Sequence, residues 1–341
     1  MVVGIKEIAA HLGLSTSTVS RALNDYDDVA PETVRRVRQA AQELGYYPSA
    51  SARSLRRQRT DKIGLALLYG SAYTTFNEFF AELIRLVAAA AEKRDYNLVL
   101  YTGMGEDPCR LVRIAQSREV DGLLLMGDVP GVDRALQKLL VVGMPLVVLG
   151  RSVNDAQINY VMPDILQGTR LALGHLVELG HRRIGYISFV PSSRYSQNRC
   201  AAYRTVLEEL GLPFDERLIA YASLEPESSA RALETLLALD DPPTAVFLFN
   251  DRMAIEVLRY LARRGIQVPQ QMAIVGFDDI RSASMITPSL TTVRHPIAEM
   301  AEQAVGTLLA QRLHPGAPAT HLTLPVELII RESTTGTRSA Q

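Results

Sequence analysis

The chain has 341 residues, 47% of them hydrophobic and 21% charged. That balance excludes a disordered chain, and the length predicts two or three domains. The net charge of -1 favours no partner for the chain as a whole, but the charge is unevenly spread. Residues 1–62 hold ten Lys and Arg against seven Asp and Glu, and eight of those bases lie between Arg35 and Lys62. A basic segment on a mildly acidic body suggests a nucleic-acid-binding appendage, although a solvated helix face would look the same on charge alone. Cys109 and Cys200 are far apart with no CxxC, which argues against a zinc site or a disulfide framework and fits a reducing compartment. No N-terminal stretch has the apolar core of a secretion signal. The longest apolar run, Leu139–Gly150, is too short for a membrane span and is interrupted by Pro145. A soluble cytoplasmic protein without a membrane partner is expected.

In chain order, GIKEIAAHLG predicts a short helix with Ile5, Ile8, Ala9 and Leu12 on one face, ended by Gly13. Ser15 is placed to cap a second helix with Val19, Ala22 and Leu23 inward. A third begins at Pro31 and Glu32, carries Val34, Val37, Ala41 and Leu44 on one stripe, and stops at Gly45. The basic, serine- and alanine-rich stretch that follows has too little to bury to be stable as a helix alone. From Lys62 the texture changes to apolar strands alternating with helices, twice over: KIGLALLY, YNLVLYT, DGLLLMG and PLVVLG, then RIGYISF, LIAYAS, TAVFLFN and AIVGFDD. Such alternation predicts parallel sheets covered on both faces, and two rounds predict two lobes. INYVMPD and LTTVRHP read as crossovers between the lobes, and PVELIIRES as a late strand.

Helix, tight turn through Gly13, helix is the helix-turn-helix spacing, although an ordinary helical hairpin shares it. A helix that enters the major groove needs short side chains near its N-terminus. Thr16, Ser17 and Ser20 meet that need, and Arg21 is long enough to reach a guanine edge or a phosphate.

The residues IKEIAAHLGLSTSTVSRALN, then VAPETVRRVRQAAQELGYYPSASARSL and KIGL, resemble the N-terminus of the lactose-repressor (LacI/GalR) family of bacterial transcriptional regulators. The resemblance extends over nearly the whole chain through HLVELGHRRIGYI, FNDRMA, VPQQMAIVGFDD and TPSLTTVRHP. It implies an N-terminal all-α helix-turn-helix domain plus an α/β periplasmic-binding-protein-like core of two lobes with parallel sheets. The expected divisions are a DNA-binding domain over 1–47, a hinge helix or linker over 48–61, and an effector-binding and dimerisation domain over 62–341.

Carried over by position, Thr16, Ser17 and Arg21 fall where the family reads the major groove, and Ser15, Ser20, Asn24 and Thr33 fall near phosphates. SASARSL matches the hinge helix, with Leu55 as the minor-groove wedge flanked by Arg53 and Arg56. The physics agrees, since an apolar wedge that unstacks a base step is offset by contacts to the bent duplex. In the core, Asn77, Phe79 and Phe80 in NEFF, with Arg151, Arg199, Asn250 and Asp278, match positions that line the family's effector pocket. Aromatic faces with Arg, Asn and Asp suit a polyol, and the resemblance implies a sugar or glycoside. Taken alone, Phe79 and Phe80 would read as core and Asp278 as a loop cap.

Four departures stand out. Gly4 replaces a hydroxyl cap, and Asp27 and Asp28 put acid in the loop after the second helix. Gly150 replaces an acid before Arg151, and Leu224 replaces an aromatic wall. The last two are expected to enlarge or soften the pocket, towards a larger glycoside or a ligand that is not a simple monosaccharide, with a neutral polyol expected.

Enzyme readings find little. TGMGEDP has Pro108 where a dinucleotide fingerprint needs its third glycine. No P-loop, HExxH or GxSxG is present, and the six histidines lack ligand spacing. No catalytic residue, cofactor or metal is expected. A transport solute-binding protein, the alternative, would carry a secretion signal and no helix-turn-helix. The expectation is a repressor, a homodimer on operator DNA, whose binding is controlled by a small-molecule effector. The terminal GTRSAQ carries no leucine heptads, which favours dimer over tetramer.

Overall fold

The computed structural model describes residues 3–24, 26–46, 59–69, 77–104, 107–223 and 225–335. They fall into two compact units, one of residues 1–61 with 118–121 and one of residues 62–117 with 122–341.

Among its described residues the first unit contains three helices: α1 (Ile5–Leu12), α2 (Thr16–Ala22) and α3 (Pro31–Glu43). α1 starts at Gly4, whose N–H donates to the Glu7 carboxylate at 2.9 Å, so a side chain from inside the helix replaces the missing hydroxyl cap. It ends at Gly13, which is left-handed at φ 66° and allows the tight turn. Ser15 caps α2 by accepting from Thr18 N at 3.1 Å. Ile8, Val19, Ala22, Val37 and Ala41 close a small core.

The second unit has two lobes, each built on a six-stranded sheet. The first lobe runs β1 (Lys62–Leu67), α4 (Glu78–Glu92), β2 (Asn97–Tyr101), α5 (Arg110–Ser117), β3 (Leu123–Met126), α6 (Val132–Val142), β4 (Leu146–Leu149) and β5 (Asn159–Pro163). The second runs α7 (Ile165–Glu178), β6 (Ile184–Phe189), α8 (Arg194–Glu209), β7 (Ile219–Ala222), α9 (Ser228–Leu237), β8 (Ala245–Leu248), α10 (Asp251–Arg263), β9 (Ala273–Asp278) and β10 (Thr291–Arg294). The chain then returns through α11 (Ile297–Leu313) and β11 (His321–Leu324) to the first lobe, and ends with β12 (Glu327–Ile329) and α12 (Glu332–Thr335).

Strand order is β11-β5-β4-β3-β1-β2 in one sheet and β12-β10-β9-β8-β6-β7 in the other. Among the described residues every strand pairing is parallel except β10 with β12. INYVMPD and LTTVRHP, expected as crossovers, are therefore strands first: β5 and β10 each pair within a sheet before the chain changes lobe. Sequence patterning did not mark α11 or β11. α11 buries Met300, Ala301, Ala304, Val305 and Leu308 against the first lobe, over 100 residues after the rest of that core.

In the second lobe, alternation across the sheet sorts side chains onto two faces. Ile187, Val246, Leu248 and Ile274 pack under α9 and α10, while Tyr186, Phe247 and Val275 pack against α7 and α8. In both lobes the first strand lies between the second and the third, so the order reverses there. In open α/β sheets, ligands bind beyond the carboxyl ends of strands at such a reversal.

Candidate functional site

On α2, Thr16, Ser17 and Arg21 are exposed, while Val19 and Ala22 on the opposite face are buried. The seven-residue helix thus presents short hydroxyl side chains and one guanidinium to solvent. Ser15 is tied to Ser17 and Thr18 through hydroxyl contacts of 2.8 Å. Asn24 turns back, its amide donating to the Ser20 carbonyl, and Thr33 is half-buried in the first turn of α3. Arg21 is ion-paired to Asp28 and lies 5.2 Å from the centre of the Tyr26 ring. The acidic loop residue therefore holds the base-reading candidate in the free protein.

The second cluster lies at the carboxyl ends of the strands in the two lobes. Arg199, on α8, is 7% exposed, with its guanidinium between Phe249 at 4.4 Å and Phe277 at 4.1 Å. Its Nη1 donates to the Phe249 carbonyl, and its Nε has no hydrogen-bond partner. Asp278 closes β9 with an unusual φ of 130°, and its carbonyl accepts from His295 N at 3.2 Å. Burial pushes the Asp278 carboxyl well above the carboxylate range, the nearby Asp251 pushes the same way, and Arg199 opposes both. Asp251 itself is raised to about 7 by burial, against hydrogen bonds from Thr292 Oγ1 at 2.5 Å and Ile280 N at 2.9 Å. It lies hard against β9, where a Cβ on Gly276 would overlap its carboxylate.

Arg151 follows β4 and is 2% exposed. Its Nη1 donates to Ser152 O at 3.3 Å, and its Nη2 lies 3.6 Å from Asp133 and 3.9 Å from Asp128. Nε and Nη2 make no hydrogen bond. A pocket of about 350 Å³ opens between the lobes here, with Gly150, Arg151, Asp164, Tyr195, Asn198 and Arg199 among its walls.

Gly150 does not widen this pocket. A Cβ there would lie 3.1 Å from Met126 and 3.2 Å from the Tyr195 hydroxyl, which donates to Leu149 O at 2.8 Å. Tyr195 thus occupies the space that an acid at position 150 would need.

Other polar contacts join the lobes. Arg194, at the start of α8, donates from its backbone N to Asp128 at 2.5 Å and from Nη2 to Asp133 at 2.6 Å. Ser282 N donates to Glu78 at 3.0 Å.

The arrangement has clear relatives. Residues 4–49 match the model described as bacterial regulatory proteins, lacI family, and residues 173–334 match a periplasmic binding protein-like domain. A ribose operon repressor of Haemophilus influenzae is 33% identical over 96% of this chain and 98% of its own length. The chain belongs to the lacI family. The transcriptional regulator CelR of Thermobifida fusca is also 33% identical, over 96% of this chain and 97% of its own. A solved CelR–cellobiose complex is 31% identical, covers 97% of this chain and 99% of its own, and has a TM-score of 0.74. The lac repressor dimer bound to operator and anti-inducer, at 24% identity and a TM-score of 0.85 over 98% of this chain and 99% of its own, shares the fold. The chain is accordingly a DNA-binding transcriptional regulator with a two-lobed α/β core.

Within this lacI-family regulator the residues expected to line the effector site divide. Arg151 and Arg199 line the open pocket, and Asp278 lies near enough to Arg199 to feel its charge. Asn77 and Asn250 each cap a helix, accepting from Phe79 N and Met253 N at 3.0 Å, so their amide oxygens serve the fold first. Phe79 and Phe80 are buried in the first-lobe core. Phe80 packs on Tyr69 and Phe79, and Phe79 also meets the His295 ring at 5.0 Å. Arg53, Leu55, Arg56 and Leu224 lie outside the described residues.

Sequence reasoning missed His295. It sits edge-on between Phe79 and Phe277, with its Nδ1 unpartnered, and burial together with Arg199 depresses it to about 3, so it is neutral near pH 7. Its only signal was its place in TTVRHP, since a lone histidine has no spacing to reveal it.

Proposed function

We propose that this regulator is a repressor acting as a homodimer, with α2 of each subunit entering the major groove of one half-site of a pseudo-palindromic operator. Thr16, Ser17 and Arg21 read base edges, and Ser15, Ser20, Asn24 and Thr33 stay near the backbone. The observation that carries the reading is the outer face of α2, where exposed hydroxyls and one arginine back directly onto a buried Val19 and Ala22.

The effector is a carbohydrate held in the cleft by Arg199, Asp278 and Arg151, with His295 and Phe79 closing the far wall. CelR's complex with cellobiose and the name of the ribose operon repressor support that class. The Tyr195–Leu149, Arg194–Asp128 and Ser282–Glu78 bonds cross between lobes, so a ligand that strengthens or strains them shifts the lobe angle. A differential affinity of a few kcal/mol between the two angles is enough to switch operator occupancy.

The test is an operator titration of Asp278→Ala with and without carbohydrate. The variant is expected to stay folded and bind operator but to ignore the sugar that moves the wild type. A response equal to wild type removes Asp278 from the site. Failure of the wild type to bind any double-stranded DNA in a random-site selection overturns the repressor reading.

A further inference from the structure

We propose that Arg331, in the segment after β12, is a positioning residue of the effector site: it holds the turn after β9 that presents Asp278 to the effector. The proposal rests on reading Asp278 as an effector contact and adds the group that sets its orientation.

Asp278 and Asp279 are consecutive non-glycine residues with positive φ, 130° and 57°. Aspartate tolerates the left-handed value at 279. The value at 278 lies outside the favoured regions and persists only where the surroundings over-determine it. Here they do. The Asp278 carbonyl accepts from His295 N at 3.2 Å, and Ile280 N donates to Asp251 at 2.9 Å. Between them lies the Asp279 carboxylate, 9% exposed. Its two oxygens accept separately, one from Arg294 Nε at 2.8 Å and the other from Arg331 Nη2 at 2.6 Å.

The two arginines are not equivalent. The Arg294 side chain is 49% exposed and is shared between Asp279 and Glu327, so water and a second acid compete for it. The Arg331 side chain is 17% exposed. Its Nη1 donates to Leu290 O and its backbone N to Thr291 Oγ1, both at 2.8 Å. The guanidinium fork therefore ties the entry of β10 to the Asp279 carboxylate, a span that the point charge of a lysine does not reproduce. The chain beyond Arg331 is pinned as well. Ser333 Oγ donates to Ile274 O in β9 at 2.6 Å and accepts from Thr291 N at 2.8 Å. Arg331 is thus the fixed point against which the turn is set, 53 residues along the chain from Asp278. A ligand contact whose support is loosened keeps its chemistry and loses its geometry, and affinity falls with it.

The experiment compares full-length wild type, Arg331→Gln, Arg331→Lys and Arg294→Gln. Calorimetry with ribose, glucose and cellobiose reads effector affinity, an operator titration without sugar reads DNA binding, and hydrogen exchange over residues 276–281 reads the turn. Arg331→Gln is expected to bind the wild type's sugar about tenfold or more weakly. It should also exchange faster over 276–281 and keep the sugar-free operator affinity. Arg331→Lys should recover part of the sugar affinity, and Arg294→Gln should lose less than Arg331→Gln. If Arg331→Gln does not fold, Asp279→Asn, which removes the partner's charge, takes its place. Wild-type sugar affinity in the variant overturns the proposal, and so does an equal loss of sugar and operator binding, which marks a general weakening of the fold. If wild type binds none of the three sugars, the carbohydrate reading fails and hydrogen exchange decides the role of Arg331. Faster exchange confined to 276–281 then supports it, and unchanged exchange there overturns it.

Discussion

Arg21 on the outer face of α2 is ion-paired to Asp28 in the turn that follows the helix. Both side chains are about half exposed, so the pair contributes little, within about 0.2–1 kcal/mol. It nevertheless stands between the arginine and DNA, because a guanidinium held by a carboxylate must release it to reach a base or phosphate.

Asp28→Asn is therefore expected to strengthen operator binding, up to about fivefold, whereas Arg21→Ala weakens it by about 1–3 kcal/mol. Fluorescence anisotropy with a labelled operator measures both. Unchanged or weaker binding by Asp28→Asn contradicts the competition.

Val19→Ala tests the small helical core separately. Val19 is fully buried with Ile8 and Val37, and losing two methyl groups costs about 2 kcal/mol with the cavity included. Operator affinity should fall while the main thermal transition of the two-lobed unit keeps its Tm. A common loss in both would mean that the two units unfold together.

Tyr195→Phe removes the Tyr195–Leu149 hydrogen bond between the lobes, worth about 1 kcal/mol, and should lower Tm by about 2–4 °C. Gly150→Ala should cost more. Position 150 has φ 81°, which disfavours a side chain, and the new Cβ would press on Met126 and Tyr195. Scanning calorimetry ranks the two, and a smaller loss for Gly150→Ala would show that Tyr195 yields easily.

Two buried groups give pH dependences of opposite sign. His295 is depressed to about 3 in the fold, so between the unfolded value of about 6.5 and that value only the unfolded chain takes the proton. Its contribution is present above pH 6.5 and is lost as pH falls. Asp251 is raised to about 7, so between about 3.9 and 7 only the folded chain holds its proton. That contribution is present at low pH and is lost as pH rises. Asp251→Asn should therefore make stability fall more steeply than wild type on going from pH 6.5 to 5. His295→Gln should make it fall less steeply, or rise. Urea midpoints at the two pH values measure the slopes, and parallel curves for all three proteins would refute both assignments.

The sequence by itself determined what depends on near neighbours along the chain. The helix starts at Ser15 and Pro31, the stop at Gly13, the apolar strands and their alternation with helices follow from capping chemistry and from periods of two and 3.6 residues. The motifs also placed Arg21 on the outer face of α2 and Arg151 and Arg199 in the pocket wall. Only the tertiary structure decided what those groups meet. α11 and β11 join the first lobe after the chain has built the second, because strand partners need not be adjacent in sequence. Gly150 reads as open space until Tyr195, 45 residues later, is seen to fill it. Asn77 and Asn250 match effector-site positions in the sequence, and only the structure shows that their oxygens also accept from helix N–H groups. His295 has no neighbour in the chain that marks it, yet it lies edge-on to both Phe79 and Phe277. Local periodicity fixes which face of an element is buried; the identity of the group opposite comes from chain crossings, and these set the charge and volume of the pocket.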